Sequence, residues 1–267
     1  MDGVVNTCNS DRKRSGMAFV NYEKRNRVAV VTLNRPERLN ALGNALLQEL
    51  AEAWIKFRDD PEARVAILTG AGKVFCAGRD LKEWAETGRV ARPELTVPDI
   101  FSTGELLKPV IAAINGPALA GGFTLALRAD LRIAAESATF GMPQGIRGLF
   151  APTSIFATQM IPTCIVMELF LTGENIPARR AYEVGLINKI VPDGELMSAA
   201  MELAERIAEA SPLVLRMTKQ SISKSTQVSE ASRLLEAYLY KESDASEDAL
   251  EGARAFVERR KPVWKGK

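Results

Sequence analysis

Short runs of aliphatic and β-branched residues recur along the first half of the chain, each bounded by charges or turn-forming residues. "RVAVVTLN" at 27–34, "RVAILT" at 64–69 and "KPVIAAING" at 108–116 have the length and composition of buried strands. Between the first two, "NALLQELAEAWIKFRDD" at 44–60 places Leu46, Leu50, Trp54 and Phe57 at helical spacing, and Asp59 and Pro61 close the segment. Strand, helix, strand and a later strand predict an α/β fold with a parallel sheet and crossover helices. Beyond about residue 195 the pattern turns helical, through "ELMSAAMELAERIAEA", "PLVLRMTKQSISKS", "VSEASRLLEAYLYKES" and "SEDALEGARAFVERRKPVW". The apolar stripes of these helices either cover the sheet or pack against another subunit. No internal repeat or low-complexity tract interrupts the chain.

The 267 residues suffice for one large α/β domain or two small ones, and no long linker separates the halves. The expected organisation is a flexible tail over 1–16, with Met17 an alternative start, then a core over 17–195 and a helical region over 196–267. Hydrophobic residues make up 46% and charged residues 25%, the balance of an ordinary soluble globular protein. A net charge of +2 argues against a nucleic-acid protein held by a broad basic face.

Two uncharged stretches, 109–127 and 148–167, approach the length of a bilayer span. The first carries Asn115, Gly116, Pro117, Gly121 and Gly122, and the second Pro152, Thr153, Gln159 and Pro162, so both are expected to be strand, loop and helix pieces rather than membrane spans. The first residues lack the apolar region of a secretory signal. Cys8, Cys76 and Cys164 are too few and scattered for a disulfide framework, and no Cys-x-x-Cys pair suggests zinc, which makes the cytoplasm the default compartment. The chain has no histidine, which removes the commonest general base and the Ser-His-Asp triad.

Two glycine-rich turns carry the candidate chemistry. "GAGKVFCAGRDL" at 70–81 follows a strand and leads into a helix, yet Gly70, Gly72 and Gly78 fit neither the dinucleotide fingerprint nor the phosphate loop. "INGPALAGGFTLAL" at 114–127 again follows a strand and enters a helix through paired glycines, which let a ligand approach backbone amides at a helix N-terminus. Side by side, two such turns either aim two N–H groups at one carbonyl oxygen, as an oxyanion hole does, or simply permit close packing.

The segments "VTLNRPERLNAL", "GKVFCAGRDL", "KPVIAAINGPALAGGFTLAL", "ADLRIAAESATFGMPQ", "LTGENIPARRAYEVGLINKIV" and "EGARAFVERRKP" together resemble the crotonase, or enoyl-CoA hydratase/isomerase, family over about residues 18–262. The resemblance implies a spiral of ββα units, C-terminal helices that make trimer contacts, and a homotrimer or dimer of trimers. It also implies an acyl-CoA ligand, with coenzyme A entering as part of the substrate and no separate cofactor or metal. The backbone N–H groups of Arg79 and Gly121 would then hold the thioester oxygen. The turn at Glu37, Arg38 and Leu39 and the stretch Ala77, Gly78, Arg79, Asp80, Leu81 and Lys82 would line the CoA moiety. Phe256 and Arg259 match positions that reach CoA on a neighbouring subunit, and Arg38 and Arg259 suit phosphate.

The chain departs from the family where its hydratases carry two glutamates, with Thr124 after the "GGF" segment and Gln144 after the "FGMP" turn. Hydrating a conjugated thioester needs a base for water and an acid for the α-carbon. A threonine hydroxyl and a glutamine amide orient water but do not exchange its proton. General acid–base help is worth about 3–5 kcal/mol of barrier, which a retained oxyanion hole does not replace. Bulkier Ala151, Pro152 and Ile155 predict a reshaped acyl pocket. Glu83 and Glu86 are either solvated or recruited carboxylates. Arg147 makes a surface salt bridge or recognises a substrate carboxylate, Cys76 is a nucleophile beside the oxyanion turn or, as the resemblance implies, packs at a strand end, and Asp80 caps the following helix. The expected activities are enolate chemistry outside the two-glutamate route, with decarboxylation the best physical fit, thioester hydrolysis, or residual hydratase or isomerase chemistry; a non-catalytic acyl-CoA binder is the alternative.

Overall fold

The three apolar runs lie side by side because each has both faces to bury. The computed structural model describes residues 18–87, 106–151, 153–225 and 229–266; the expected N-terminal tail, Cys8 and Pro152 lie outside the described residues. β1 (Val20–Arg25) pairs antiparallel with β2 (Val28–Leu33), and β3 (Val65–Gly70), β4 (Val110–Ile114), β6 (Leu131–Ala135) and β9 (Lys189–Val191) continue the sheet in parallel, in the order β1-β2-β3-β4-β6-β9. The predicted parallel sheet is therefore mixed at one edge. Most side chains of β1, "VNYEKR", are solvent-facing, so it carries no apolar run for the sequence pattern to register.

Alternation along these strands sends Ala29, Val31, Leu33, Ala66, Leu68, Ala112 and Ile114 into one core and Val28, Val65, Ile67, Ile111, Ala113 and Ile133 into another. The first core is closed by α1 (Asn44–Asp59), whose Leu46, Leu50, Trp54 and Phe57 are buried, as the helical spacing predicts. Each such side chain contributes roughly 1.5–3 kcal/mol relative to exposure. Glu49, buried on the same helix, accepts hydrogen bonds from the backbone N–H groups of Phe19 (2.7 Å) and Val20 (3.0 Å), which fixes the start of β1. The second core is closed by α7 (Leu196–Glu209), through Leu196, Ala200, Ala204 and Ala208. The first helix of the C-terminal region thus covers the sheet.

A second, three-stranded sheet is built from β5 (Ala118–Leu119), β7 (Thr139–Gly141) and β8 (Ile176–Pro177), with β5 and β7 parallel. Each turn of the chain has the same plan. It leaves the large sheet, pairs briefly beside this small sheet, bends and enters a helix. β3 is followed by Cys76, which bridges Ala118, and by α2 (Leu81–Thr87); β4 by β5 and α3 (Gly121–Arg128); β6 by β7 and then α4 (Ser154–Met160). The stretch 109–127 is thus β4, β5 and α3, and 148–167 contains α4 and the start of α5 (Thr163–Thr172). Among the described residues no helix is long and apolar enough to cross a membrane. The chain continues through α6 (Ala178–Glu183), α8 (Pro212–Ser225), α9 (Glu230–Ala245) and α10 (Glu247–Glu258).

Asn40 locks two of these bends together. It is fully buried with a left-handed backbone (φ 54°), its amide nitrogen donates to the carbonyls of Ala71 (2.9 Å), Val74 (2.8 Å) and Phe75 (3.2 Å), and its Oδ1 accepts from the Arg35 N–H (2.9 Å). Removing it strands buried backbone groups and leaves a β-carbon without compensation in the left-handed region. Asn40→Ala is expected to lower stability by about 2–4 kcal/mol, read as a lower urea midpoint at unchanged m.

Candidate active site at three stacked turns

Cys76, Ala118 and Phe140 are neighbours across the small sheet: Cys76 bridges Ala118, and Ala118 is in register with Phe140. Three or four residues further on, each chain turns, and the turns carry Arg79, Gly121 and Gln144. The first two touch. A β-carbon on Gly78 would lie 2.9 Å from the Gly121 nitrogen and 2.6 Å from the Ala120 β-carbon, and one on Gly121 would lie 3.8 Å from the Arg79 nitrogen. Gly78 has φ +90°, and Ala120, just before α3, has φ 52° and ψ −119°, a conformation an L-residue adopts only under strain. Among the described residues no group accepts a hydrogen bond from the N–H of Arg79 or of Gly121, although their neighbours Asp80 and Ala120 donate to Leu42 and Gly141. The two glycines of the pair meet different neighbours: a β-carbon on Gly122 would collide with the Cys76 carbonyl, and one on Gly121 would press on the Leu42 side chain at 2.8 Å.

The first turn is held from below and above. Asp80 Oδ2 pairs with Arg35 at 2.8 Å, both side chains buried, while Oδ1 accepts from the N–H groups of Lys82 (3.1 Å) and Glu83 (3.2 Å), capping α2 as expected. Glu83 Oε1 accepts from the Asn44 N–H (3.0 Å), capping α1 across the turn; its carboxylate serves the fold at that point, and Glu86 is exposed. From above, the Arg79 guanidinium contacts Asp244 (3.1 Å) and the Tyr240 hydroxyl (2.5 Å) of α9 and lies over Trp84 at 5.5 Å. Ser243 on the same helix accepts from the Phe150 N–H (2.7 Å). α9 therefore spans the first turn and the loop leading to α4. Cys76 is buried, donates to the Asn40 carbonyl (3.1 Å) and has its thiol pushed up to about 12 by burial, which removes it as a nucleophile near neutrality.

Of the two positions lacking glutamate, Thr124 has hydroxyl and carbonyl partners. Thr124 Oγ1 lies 2.7 Å from the Thr153 hydroxyl and donates to the Ala120 carbonyl at 3.3 Å. Thr153 is buried and precedes α4. Gln144 leads the short turn Gly145–Arg147, and its Oε1 is buried with no donor among the described residues. Glu236 was not legible as a site residue. This α9 glutamate accepts a hydrogen bond from the Ile155 N–H, its Oε1 is buried without a described partner, and burial raises its pKa to about 7 against the pull of Ile155 and Arg128. In sequence it is one glutamate in an amphipathic helix, with no spacing to mark it.

Of the positions expected at CoA, Leu39 and Ala77 are paired, the Ala77 N–H donating to the Leu39 carbonyl (3.0 Å). This puts the Glu37–Leu39 turn against the Ala77–Lys82 stretch. Leu39 (φ 55°, 53% exposed), Glu37, Arg38 and Lys82 lie at the surface, while Leu81 packs beside Trp84. Phe256 and Arg259 sit at the end of α10, where the Arg147 guanidinium lies over the Phe256 ring, 4.6 Å from its centroid.

The chain matches the enoyl-CoA hydratase/isomerase family over residues 23–267. It belongs to that family, and it is a crotonase-family acyl-CoA-processing protein with the fold the resemblance implies. Among its relatives, the carnitinyl-CoA dehydratase of Salmonella paratyphi A is 39% identical over 248 residues, 89% of this chain and 94% of that protein. The solved structure of carnitinyl-CoA hydratase from Mycobacterium avium superposes with a TM-score of 0.86 at 38% identity, covering 94% of this chain and all of the other. A methylmalonyl-CoA decarboxylase in complex with 2-nitronate-propionyl-CoA superposes with a TM-score of 0.82 at 30% identity over 93% of this chain and 99% of the other.

Gly78→Ala tests the contact between the turns. Its β-carbon meets Ala120 and the Gly121 nitrogen at a backbone angle hostile to side chains, so the variant is expected to lose about 1–3 kcal/mol in thermal unfolding and to lose acyl-CoA affinity in calorimetry more than tenfold.

Proposed function

We propose that this chain binds an acyl-CoA thioester and stabilises its enolate through the backbone N–H groups of Arg79 and Gly121. The observation that carries this reading is the pair of touching turns whose two amides have no acceptor among the described residues. Two preorganised donors favour the oxygen most strongly when it is fully anionic, and each is worth roughly 3–4 kcal/mol in the transition state. The nitronate complex of the decarboxylase neighbour supports the same idea, since a nitronate is a planar anion shaped like an enolate. Glu37, Arg38, Leu39 and Ala77 to Lys82 line the CoA moiety in this reading, with Phe256 and Arg259 reaching CoA on a neighbouring subunit. The exposed apolar side chains of α8 and α9, among them Leu213, Met217, Leu234 and Leu235, suit a homotrimer or dimer of trimers.

The acyl chemistry avoids the two-glutamate hydration route, because Thr124 is engaged with Thr153 and Gln144 offers an amide. Loss of CO₂ from a 2-carboxyacyl thioester generates the enolate without a base: the carbon–carboxyl bond breaks and its electrons pass to the thioester oxygen held by the two amides. The identity to carnitinyl-CoA dehydratase supports a second reading, addition or removal of water across the α–β bond with an acid drawn from elsewhere in the chain.

Incubation with enoyl-, 3-hydroxyacyl- and malonyl-type acyl-CoAs, followed by mass spectrometry with calorimetry on the same samples, separates these. Binding throughout and CO₂ loss from the malonyl-type thioesters is the expected result. Binding with no turnover in any class assigns a non-catalytic acyl-CoA binder, and no binding at all overturns the CoA reading. Thr124→Glu combined with Gln144→Glu is expected to gain at least about tenfold in hydration of a short enoyl-CoA; no gain would mean that pocket shape, rather than missing acids, is limiting.

A further inference from the structure

We propose that Glu236 of α9 is the acid–base group of this site, exchanging a proton with the α-carbon of the bound thioester. The inference rests on the reading above, that an acyl-CoA enolate forms at Arg79 and Gly121. Its basis is where α9 lies. Tyr240, one helical turn after Glu236, contacts the Arg79 side chain, and Ser243, a further turn on, holds the Phe150 N–H, so the face of α9 that carries Glu236 is the one laid over the site. The Glu236 carboxylate accepts from the Ile155 N–H in the first turn of α4. Two residues before Ile155 stands Thr153, whose hydroxyl meets that of Thr124, the position where a family hydratase would carry its acid. Arg128, one turn along α3 from Thr124, acts on Glu236 from the other side.

One oxygen is thus used for position, and the other, Oε1, is buried with no described donor. A buried acceptor left open is costly unless something fills it. A carboxyl group on a different helix is thus tied to the two segments that carry Thr153 and Thr124, through the Ile155 N–H and Arg128. Burial brings its proton affinity close to neutrality, about 7, where both protonation states are populated. Arg128 on α3 is the charged side chain that faces it among the described residues, and α4 contributes no titratable side chain.

The step balances without a further reactant. In the forward direction the α C–H bond breaks, its electrons pass to the thioester oxygen as the enolate, and the proton bonds to the Glu236 carboxylate. In reverse, the carboxylic acid returns a proton to the α-carbon and becomes carboxylate. After loss of CO₂ from a 2-carboxyacyl thioester, only the reverse half is needed to quench the enolate.

Exchange of the α-hydrogens of butyryl-CoA with D₂O, read by mass spectrometry, tests this without assuming the natural acyl group. Wild-type protein is expected to bind butyryl-CoA and catalyse exchange, with a rate that rises as pH increases through about 7 as the carboxylate forms. Glu236→Gln keeps the shape and the acceptor for Ile155; it is expected to bind within about threefold, to lose about 10²- to 10⁴-fold in exchange rate, and to lose the pH dependence. Glu236→Asp should recover part of the rate, and Glu242→Gln, exposed on the same helix, should match wild type. Unchanged exchange in Glu236→Gln with intact folding, or wild-type binding without exchange, would overturn the role of Glu236 while leaving the CoA reading standing. Absence of butyryl-CoA binding by wild type would overturn the CoA reading itself.

Discussion

The register between Cys76, Ala118 and Phe140 is the constraint from which the site follows. Hydrogen bonds from the Cys76 N–H to Pro117 and from the Leu119 N–H to Cys76 hold the first two rungs, and the parallel pairing of β5 with β7 holds the third. Because the rungs are fixed, the turns that follow them fall side by side, and backbone positions far apart in sequence come to share one small volume. A slip of one residue in any rung would reverse which groups face it. This explains why small residues gather there. Gly122 lies against the Cys76 carbonyl, Gly78 against Ala120, and Gly116 against the Lys73 carbonyl, each where a side chain would force the rungs apart.

On that frame the electrostatics are divided. The groups beneath the first turn, Arg35 with Asp80 and Glu83 at the α1 N-terminus, are consumed in holding it. A buried pair of this kind contributes little net stability, but losing one partner leaves an uncompensated charge. Around the turns, two amides, the Gln144 oxygen and one oxygen of Glu236 have no partner among the described residues. Polar groups that are already paired are poor ligands, so Arg35, Asp80 and Glu83 belong to the scaffold of the turn.

The strands at 27–34, 64–69 and 108–116 and the helix at 44–60 were legible because each buries a continuous run or a single stripe. β1 was not, since an edge strand with most side chains in solvent carries little apolar signal. The small sheet was not either, because strands of two or three residues leave no periodicity. The glycine turns stood out through composition, yet their contact depends on pairing between distant segments. Glu83 and Arg147 have partners that spacing in the chain does not reveal: one caps α1 and the other stacks on Phe256. Glu236 shows the reverse, an ordinary helical glutamate whose environment is set by two helices about 80 residues or more away in sequence.

The central claim is that the Arg79 and Gly121 amides are preorganised for an anionic oxygen, and calorimetry on one pair of ligands tests it most directly. Propionyl-CoA presents a neutral thioester, and 2-nitronate-propionyl-CoA an anion whose charge is delocalised from the C2 nitronate onto the thioester oxygen. The nitronate is expected to bind at least about 10²-fold more tightly, as an analogue of the activated species should. Equal affinities, with both ligands bound, would contradict it and leave these turns as packing alone.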